Sequence, residues 1–408
     1  RLAWLTPSLW AAAAASVGSG LAGFAVTAVI GDVAAEFGAP GAGQEISDQI
    51  GLTGTTLGVA LATIRLASLG ALPGSALADR VGRRGTLLAA LAVGLAMTAL
   101  GALAPGFWWW VAAVAIARPF LSTVNNLSGV VAAEETTSRY RSWALAVIGA
   151  AYGLGAGVVP VLRGVMPDAS YRLVTGLVLV PLLTVPLLAR VLHEPAVYER
   201  TADAPTSRRA RLLGTVPTEH RARLALLLLT TGALSLATGP GFTYVVVYAE
   251  QILGASTSFT AGLVLAAGPV GAIGLLTGRW LADRLGRRPA AAGALLATAV
   301  GLALGYSGSL PLLTVGYLLA LASAAAFGTP AGAMAAEAFP TSIRATVAGW
   351  VAASGVLGAV AGLAAFGILA DVTGGFAASA RILAVVVAVG TLPLVWLPET
   401  RGHELDAS

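Results

Sequence analysis

The chain has 408 residues, of which 57% are hydrophobic and only 11% are charged. Soluble proteins carry about 25% charged residues, so this composition excludes an ordinary soluble enzyme or binding domain. The absence of cysteine excludes disulfides and thiolate metal sites. The formal charge of +5 comes from arginines grouped between apolar segments, which is typical of a membrane protein rather than a nucleic-acid-binding one.

Apolar segments of about 20 residues, the length that crosses the hydrocarbon core of a bilayer, recur along the whole chain. We therefore predict an all-α polytopic membrane protein with twelve transmembrane helices, called spans 1 to 12. The first segment has no small-residue cleavage site, so it is interpreted as a retained span and not as a signal peptide. The predicted spans are 9–31, 51–73, 85–105, 108–132, 142–162, 172–191, 224–249, 259–281, 289–308, 311–335, 345–370 and 376–397.

The longest polar stretch, 192–223, divides the spans into six plus six and is predicted to be a cytoplasmic linker. It separates an N-terminal six-helix bundle over 1–191 from a C-terminal six-helix bundle over 224–408, which ends in a short cytoplasmic tail. Nearly all loop arginines fall on one side of the predicted membrane, and the other side has only Arg163, Arg172 and Arg381. Because arginine-rich loops stay inside, we predict a multi-pass protein of a bacterial cytoplasmic membrane with both termini cytoplasmic.

A charged turn that follows span 2 occurs again after span 8. The first copy reads GSALADRVGRR from Gly74, and the second reads GRWLADRLGRR from Gly278, 204 residues later. Two further landmarks occur once in each half. The first is a Glu seven residues before an Arg, Glu134 with Arg141 and Glu337 with Arg344. The second is a turn in which Glu and Pro are adjacent, at 194–195 and at 398–399. Six spans separate the copies, so the two bundles should share one orientation and be pseudo-symmetric about the membrane normal.

These repeated motifs resemble those of the major facilitator superfamily, and within it the sugar-porter-like and the metabolite or organic-ion branches. The resemblance rests on the Asp-Arg-x-Gly-Arg-Arg turn in both halves, on EAFPTSIR from Glu337 and on PETRG from Pro398, and it covers the whole chain. It implies the major facilitator fold, whose halves rock about a central site lined mainly by spans 1, 4, 7 and 10. Span 7 lacks the Gln-Gln pair and the asparagine of sugar porters, and Ala25 stands where many proton-coupled relatives carry an aspartate.

The repeated charged turns are predicted to gate the cytoplasmic side. Their carboxylates can accept hydrogen bonds from helix N-termini or from arginines, and these contacts would hold that side closed and separate when it opens. The alternative is that the arginines only set topology and the acids are their counter-ions. The predicted gating residues are Gly74, Asp79, Arg80, Arg83, Arg84, Glu134, Arg141, Gly278, Asp283, Arg284, Arg287, Arg288, Glu337 and Arg344.

Glycines four residues apart in spans 2, 5, 8 and 11 allow helix backbones to approach closely. In the resembled fold these four helices form the seam between the halves, so we expect the glycines to face that seam. The alternative is that a chain with 51 glycines produces such pairs by chance. The glycines are Gly54 and Gly58 in span 2, Gly149, Gly153 and Gly157 in span 5, Gly274 and Gly278 in span 8, and Gly358 and Gly362 in span 11.

A polar face in span 4 is the main candidate for a substrate site. Arg118, Ser122, Asn125 and Asn126 share one face of the predicted helix. A guanidinium near mid-bilayer is costly, and neither Arg118 nor Arg65 of span 2 has an Asp or Glu at the same depth in the sequence. A bound organic anion would supply the missing charge. Two alternatives remain, a structural Arg118 and a coupling role for Arg118 without substrate contact.

Tyrosines complete the predicted site. Span 7 is expected to break at Gly239-Pro240-Gly241, and a break is tolerated where the chain lines a cavity. Tyr244 and Tyr248 follow on one face and could stack on a ligand or, alternatively, pack in the protein. The predicted substrate-binding residues are Arg118, Ser122, Asn125, Asn126, Arg65, Tyr152, Tyr244 and Tyr248.

These features predict a secondary transporter that moves a small organic solute, with an organic anion as the first hypothesis. The alternatives are an exporter or facilitator of a neutral metabolite, sugar or drug-like compound, and a non-transporting membrane sensor with a transporter fold. A chain without lysine has no Gly-x-x-x-x-Gly-Lys-Ser/Thr motif, so ATP-driven transport is not expected. We expect no enzymatic activity, no cofactor, no metal site and no nucleic-acid partner. The expected partners are a small-molecule substrate, the lipid bilayer and a coupling proton or ion, which the sequence leaves open, and the protein is expected to be a monomer.

Overall fold

The computed structural model describes residues 6–41, 46–137, 140–195 and 216–400. Twelve helices in these ranges are long and apolar enough to cross a membrane, which confirms the predicted all-α fold of twelve spans. In order they are Pro7–Phe37, Gly54–Val81, Arg83–Leu103, Phe107–Glu134, Trp143–Val165, Tyr171–Val191, Thr218–Thr243, Thr257–Leu285, Arg287–Gly305, Leu310–Glu337, Thr346–Thr373 and Phe376–Val395.

Local irregularities interrupt several spans. Span 2 has a 3₁₀ turn, Ser68–Gly70, between two α-helical parts. The α-helix of span 5 begins at Arg141, and that of span 11 begins at Thr341. Other separate segments are the 3₁₀ turns Gly101–Leu103 and Leu392–Val395, the two parts of span 6, Tyr171–Gly176 and Leu179–Val191, and the short helices Ile46–Ile50 and Val245–Val247.

The repeated charged turns depend on glycine. Gly82 and Gly286 have φ of 115° and 109°, which side-chain-bearing residues rarely adopt. Each of these glycines separates two spans and lies beside a glutamate carboxylate, Glu194 in the first case and Glu399 in the second. The glycine of the repeated motif therefore permits both the sharp turn and the close approach of an acid.

Span 7 differs from its prediction. Its helix continues through Pro240 and ends at Thr243, so the break expected at Gly239-Pro240-Gly241 is wrong. The Tyr306 hydroxyl donates to the carbonyls of Pro240 and Gly241, both at 3.2 Å, near the end of this helix. The irregular backbone follows instead, in a π-helical turn over Tyr248–Ile252.

The chain forms two compact units. The first comprises the described residues of Arg1–Val33 and Ala67–Ala210, and the second those of Ala34–Leu66 and Arg211–Ser408. The first part of span 2, up to Leu66, thus belongs to the second unit, while the sequence places all of span 2 in the N-terminal bundle. The predicted bundles at 1–191 and 224–408 remain a prediction, and most of the predicted linker, 196–215, lies outside the described residues.

The glycine pairs have different neighbours from one span to another. Gly274 and Gly278 lie against the backbone of span 10, and Gly358 and Gly362 lie against that of span 7, all inside the second unit. For these two pairs the expectation that they face a seam between the halves is wrong, because spans 8 and 10, and spans 7 and 11, already pack together along their lengths. For the pair in span 2, Gly54 and Gly58, the expected contact with span 11 is present. No atom lies within 4 Å of a Cβ built on Gly149 or Gly153.

Candidate functional site

A network of charges joins spans 2, 3 and 4 at one end of the first unit. The Arg83 guanidinium lies 2.6 Å from Asp79 Oδ1 and 2.9 Å from Glu134 Oε1. Its Nε also donates to both oxygens of Glu134, at 3.1 and 3.0 Å. The arginine and Glu134 side chains are only 14% and 17% exposed, whereas Asp79 is 56% exposed. Arg83 is therefore held by two carboxylates from two different helices.

The N-terminus of span 3 is capped by an acid from the segment after span 6. The Glu194 carboxylate accepts hydrogen bonds from the backbone N–H of Arg83 and, at 3.1 Å, from that of Arg84. The Arg84 side chain in turn donates to the Leu192 and Ala189 carbonyls, at 2.7 and 2.6 Å. A negative charge is favourable at a helix N-terminus, and cations are favourable at a C-terminus. Spans 3 and 6 thus satisfy each other's free backbone groups.

The second unit repeats this arrangement. Arg287 lies 3.3 Å from both Asp283 and Glu337, and Glu399 accepts from the backbone N–H of Arg287 and Arg288, at 2.8 and 3.1 Å. The Arg288 side chain donates to the carbonyls at the end of span 12, as Arg84 does at the end of span 6. The duplicated sequence therefore produces a duplicated network, with longer ion pairs in the second copy.

The other predicted gating residues have varied surroundings. Arg80 is exposed, Arg284 lies over the Trp280 ring with its guanidinium carbon 4.5 Å from the centroid, and Arg344 is partly buried. Glu337 pairs with Arg287, not with Arg344. The Arg141 side chain lies outside the described residues. Gly74 and Gly278 leave no room for a Cβ beside Thr123 and Ala326.

The sequence did not identify Glu194 and Glu399 as site residues. Both lie more than 100 residues from the backbone groups that they accept from. The available signal was an adjacent Glu and Pro at the end of each half, Glu194-Pro195 and Pro398-Glu399. An acid that occurs in both repeats, in the turn after the last helix of each, is a candidate N-terminal cap for another helix.

The polar face of span 4 lies in the first unit. Arg118 is partly buried, and its Nη1 lies 3.7 Å from a Cβ built on Gly23 of span 1. The Tyr152 hydroxyl of span 5 lies 3.2 Å from the same point. A side chain at Gly20 would collide with the Tyr152 backbone, so glycine lets spans 1 and 5 approach closely there. Gly23 thus has the Arg118 guanidinium and the Tyr152 hydroxyl as its neighbours.

Two polar atoms on this face are buried without a hydrogen-bond partner in the described protein, Arg118 Nε and Asn125 Oδ1. Among the residues that the structure describes, no carboxylate lies within 4 Å of Arg118. Ser122 is partly buried on the same helix, and the Asn126 amide donates to Ser75 of span 2 at 3.3 Å. The arrangement offers a guanidinium, a phenol and an amide to a ligand that carries negative charge and hydrogen-bonding groups.

The other predicted substrate residues lie in the second unit. Arg65 is partly buried in the first part of span 2. Tyr244 is fully buried and Tyr248 is 3% exposed, and both belong to a cluster of aromatic rings. The Tyr244 ring centroid is 5.0 Å from that of Phe366 and 5.5 Å from that of Phe376. In this conformation the two tyrosines pack against aromatic side chains.

Comparison with known proteins gives the family. The sequence model of the Major Facilitator Superfamily matches residues 9–281 and 260–407. A cis,cis-muconate transport protein of Acinetobacter baylyi is 27% identical over 249 residues, which are 59% of this chain and 60% of that relative.

Among solved structures, a D-xylose–proton symporter matches with a TM-score of 0.72 and 18% identity, over 98% of this chain and 99% of that one. The human organic anion transporter MFSD10 (TETRAN) matches with a TM-score of 0.67 and 18% identity, over 95% and 99%. At this identity the two structures show a shared fold only. With the family match along its length and this fold, the chain belongs to the Major Facilitator Superfamily, a family of membrane transporters and not of enzymes.

Proposed function

We propose that this chain is a secondary transporter that carries a small organic anion across a bacterial cytoplasmic membrane, as a monomer with both termini inside. The observation that carries the proposal is Arg118, a partly buried guanidinium with no carboxylate within 4 Å among the described residues. Its Nε has no hydrogen-bond partner there, and neither has the neighbouring Asn125 Oδ1. Buried polar atoms are usually paired, so these two call for a partner that the described protein does not supply.

An anionic ligand balances the energetics of this face. An arginine at the centre of a membrane helix costs about 2.5–3.5 kcal/mol on insertion scales, and a paired anion offsets this cost. A carboxylate is the natural partner because the guanidinium can donate two parallel hydrogen bonds to it. The Tyr152 hydroxyl beside Gly23 can donate a third. Asn125 and Ser122 can bond to polar groups elsewhere on the ligand.

Two of the similar proteins support this class of substrate. One transports muconate, an unsaturated dicarboxylate, and the other is an organic anion transporter. We propose that the duplicated arginine networks gate the cytoplasmic side during alternating access between the two bundles. In this proposal Tyr244 and Tyr248 reach the ligand only if their aromatic cluster opens, and Arg65 has no assigned contact with the ligand.

Exchange across reconstituted vesicles tests the proposal. Proteoliposomes loaded with cis,cis-muconate should take up labelled muconate by counterflow, and vesicles loaded with D-xylose should not take up labelled xylose. Arg118→Gln should lower the affinity for muconate by about 100-fold, because the ligand loses its charged partner. Arg118→Lys should keep part of the activity, since it retains the charge but not the planar donor pair. Arg381→Gln is the matched control, because Arg381 is exposed in span 12.

Each result bears on the proposal. Xylose exchange without muconate exchange would overturn the anion assignment in favour of a neutral solute. Muconate exchange with equal affinity in wild type and Arg118→Gln would refute the assigned site. Proton uptake that accompanies muconate entry in the same vesicles would show coupling to a proton.

A further inference from the structure

A third carboxylate also caps a helix that is distant in the sequence. It lies at the opposite ends of the spans from the arginine networks. Asp371 near the end of span 11 accepts hydrogen bonds from the backbone N–H groups of Gly54 and Thr55, both at 2.7 Å. It also accepts one from the Thr55 hydroxyl at 2.6 Å. The acid therefore makes three short bonds to the first residues of span 2, and both spans belong to the second unit at this point.

The backbones of the two helices meet directly beneath this cap. A Cβ on Gly54 would lie 2.7 Å from the Gly367 carbonyl, and one on Gly58 would lie 2.8 Å from the Leu363 carbonyl. Gly367 has no room for a Cβ either, because the Gly54 carbonyl occupies that position. Gly54, Thr55 and Gly58 on span 2, with Gly367 and Asp371 on span 11, are here called the outer seam. Its helices are in contact without intervening side chains.

The outer seam joins two different sequence repeats, whereas the Glu194 and Glu399 caps each join parts of one repeat. Glu194 caps a helix of its own sequence repeat, and so does Glu399. Asp371 belongs to the second repeat, whereas span 2 belongs to the first. In a family whose two repeats move against each other, a contact within one repeat can persist through the cycle, but a contact between repeats must break and re-form.

The corresponding acid of the first repeat behaves differently. Asp168 follows span 5 and lies 203 residues before Asp371, the same offset as between Glu134 and Glu337. It is exposed. The N-terminus of span 8, the counterpart of span 2, is capped by its own Ser256, whose hydroxyl accepts from the Phe259 N–H at 3.2 Å. The distant cap is therefore not a general property of the repeat.

We propose that Asp371 is a gating residue, which latches the outer ends of spans 2 and 11 together in one conformation and releases them in the other. The inference rests on the proposed transport by alternating access. Asp371 acts by position and not through contact with the substrate, and the glycines make the latch possible because they bring the Gly54 and Thr55 donors within reach of the acid. Each cycle must exchange three charge-assisted hydrogen bonds for water.

The latch can be tested without any substrate. The chain has no cysteine, so Leu52→Cys and Val372→Cys give one spin-labelling position at the outer end of each helix. Pulsed EPR on the full chain in lipid nanodiscs should show mainly one short distance in the otherwise unchanged protein. Asp371→Ala removes all three bonds and should raise the ratio of long to short distances by at least tenfold, because one bond to a charged group is already worth about that factor.

Matched variants separate a latch from a general structural role. Asp168→Ala, at the equivalent position of the first repeat, should leave the distances unchanged. Thr55→Val removes only the hydroxyl donor, so it should shift the ratio in the same direction by a smaller factor and remain informative if Asp371→Ala fails to fold. Asp371→Asn keeps an acceptor oxygen without the charge and should fall between wild type and Asp371→Ala. Gly367→Ala should also lengthen the distance, by steric separation.

Unchanged distances in folded Asp371→Asn and Thr55→Val would overturn the latch. So would an equal shift in Asp168→Ala, because the effect would then not depend on the contact with span 2. This experiment uses no ligand, so its failure is distinct from a failure of muconate exchange, which would count against the proposed function. A shift in the EPR ratio together with muconate exchange supports both.

Discussion

Removal of the Glu399 carboxylate should destabilise the protein by an amount that can be worked out from its contacts. The acid accepts two backbone hydrogen bonds at the start of span 9, from Arg287 and Arg288. Loss of a helix N-cap costs about 0.5–2 kcal/mol, and loss of a hydrogen bond to a charged group costs about 1.5–3 kcal/mol. Glu399 is partly exposed, so water replaces part of the loss, and we expect about 2 kcal/mol for Glu399→Ala.

This prediction is checked by thermal unfolding of the purified protein in detergent. For a unit of about 200 residues, 1 kcal/mol shifts the melting temperature by about 2–4 °C, so Glu399→Ala should melt about 4–8 °C below wild type. Glu399→Gln keeps one acceptor oxygen and should lose about half as much. Glu219→Ala is the control, because that side chain is 77% exposed and its contact with His220 contributes little. A melting temperature for Glu399→Ala equal to that of the control would refute the reasoning.

Three further changes have defined outcomes. Gly20→Ala forces a methyl group into the Tyr152 backbone, so we expect a loss of about 1–3 kcal/mol in thermal unfolding, while Gly149→Ala, with no atom within 4 Å, should be neutral or slightly stabilising. Tyr306→Phe removes the hydroxyl that bonds two carbonyls of span 7 and should cost about 1 kcal/mol in the same assay; an unchanged melting temperature would show that water replaces it. Arg83→Gln leaves the partly buried Glu134 without its ion-pair partner, so muconate counterflow should fall at least tenfold, and wild-type counterflow in this variant would exclude a role in gating.

Much of the fold follows from the sequence because it depends on local composition and on repetition. Apolar length determined the spans, and the duplicated turn with Gly82 and Gly286 predicted the duplicated networks that the structure contains. The ion pair of Arg83 with Asp79 joins the two helices that the charged turn connects. The pair of Arg83 with Glu134 of span 4 was not predicted, since the sequence associated Glu134 with Arg141. A charged turn with one acid among several arginines is sufficient to predict the first of these contacts.

Contacts between distant segments were harder to predict. Asp371 and Gly54 are 317 residues apart, and neither has a distinctive local sequence, so only the packed structure shows that the acid caps span 2. For Tyr244 the spacing indicated a shared face with Tyr248 but not what that face contacts. The Tyr244 ring contacts Phe366 and Phe376, which lie more than 100 residues later in the sequence. A helical period specifies which residues share a face, and the neighbouring helices determine whether that face meets ligand or protein.

The most direct test of the account is ligand-induced thermal stabilisation of the purified protein in wild type and Arg118→Gln. A ligand that binds the folded state at 100 times its Kd stabilises it by about 2.7 kcal/mol. We predict that cis,cis-muconate at this concentration raises the melting temperature of wild type and, to a smaller extent, of Arg118→Lys, and that it stabilises Arg118→Gln, whose affinity is about 100-fold lower, by only about 0.4 kcal/mol. Equal stabilisation of wild type and Arg118→Gln by muconate would contradict the claim that the span 4 guanidinium binds an organic anion.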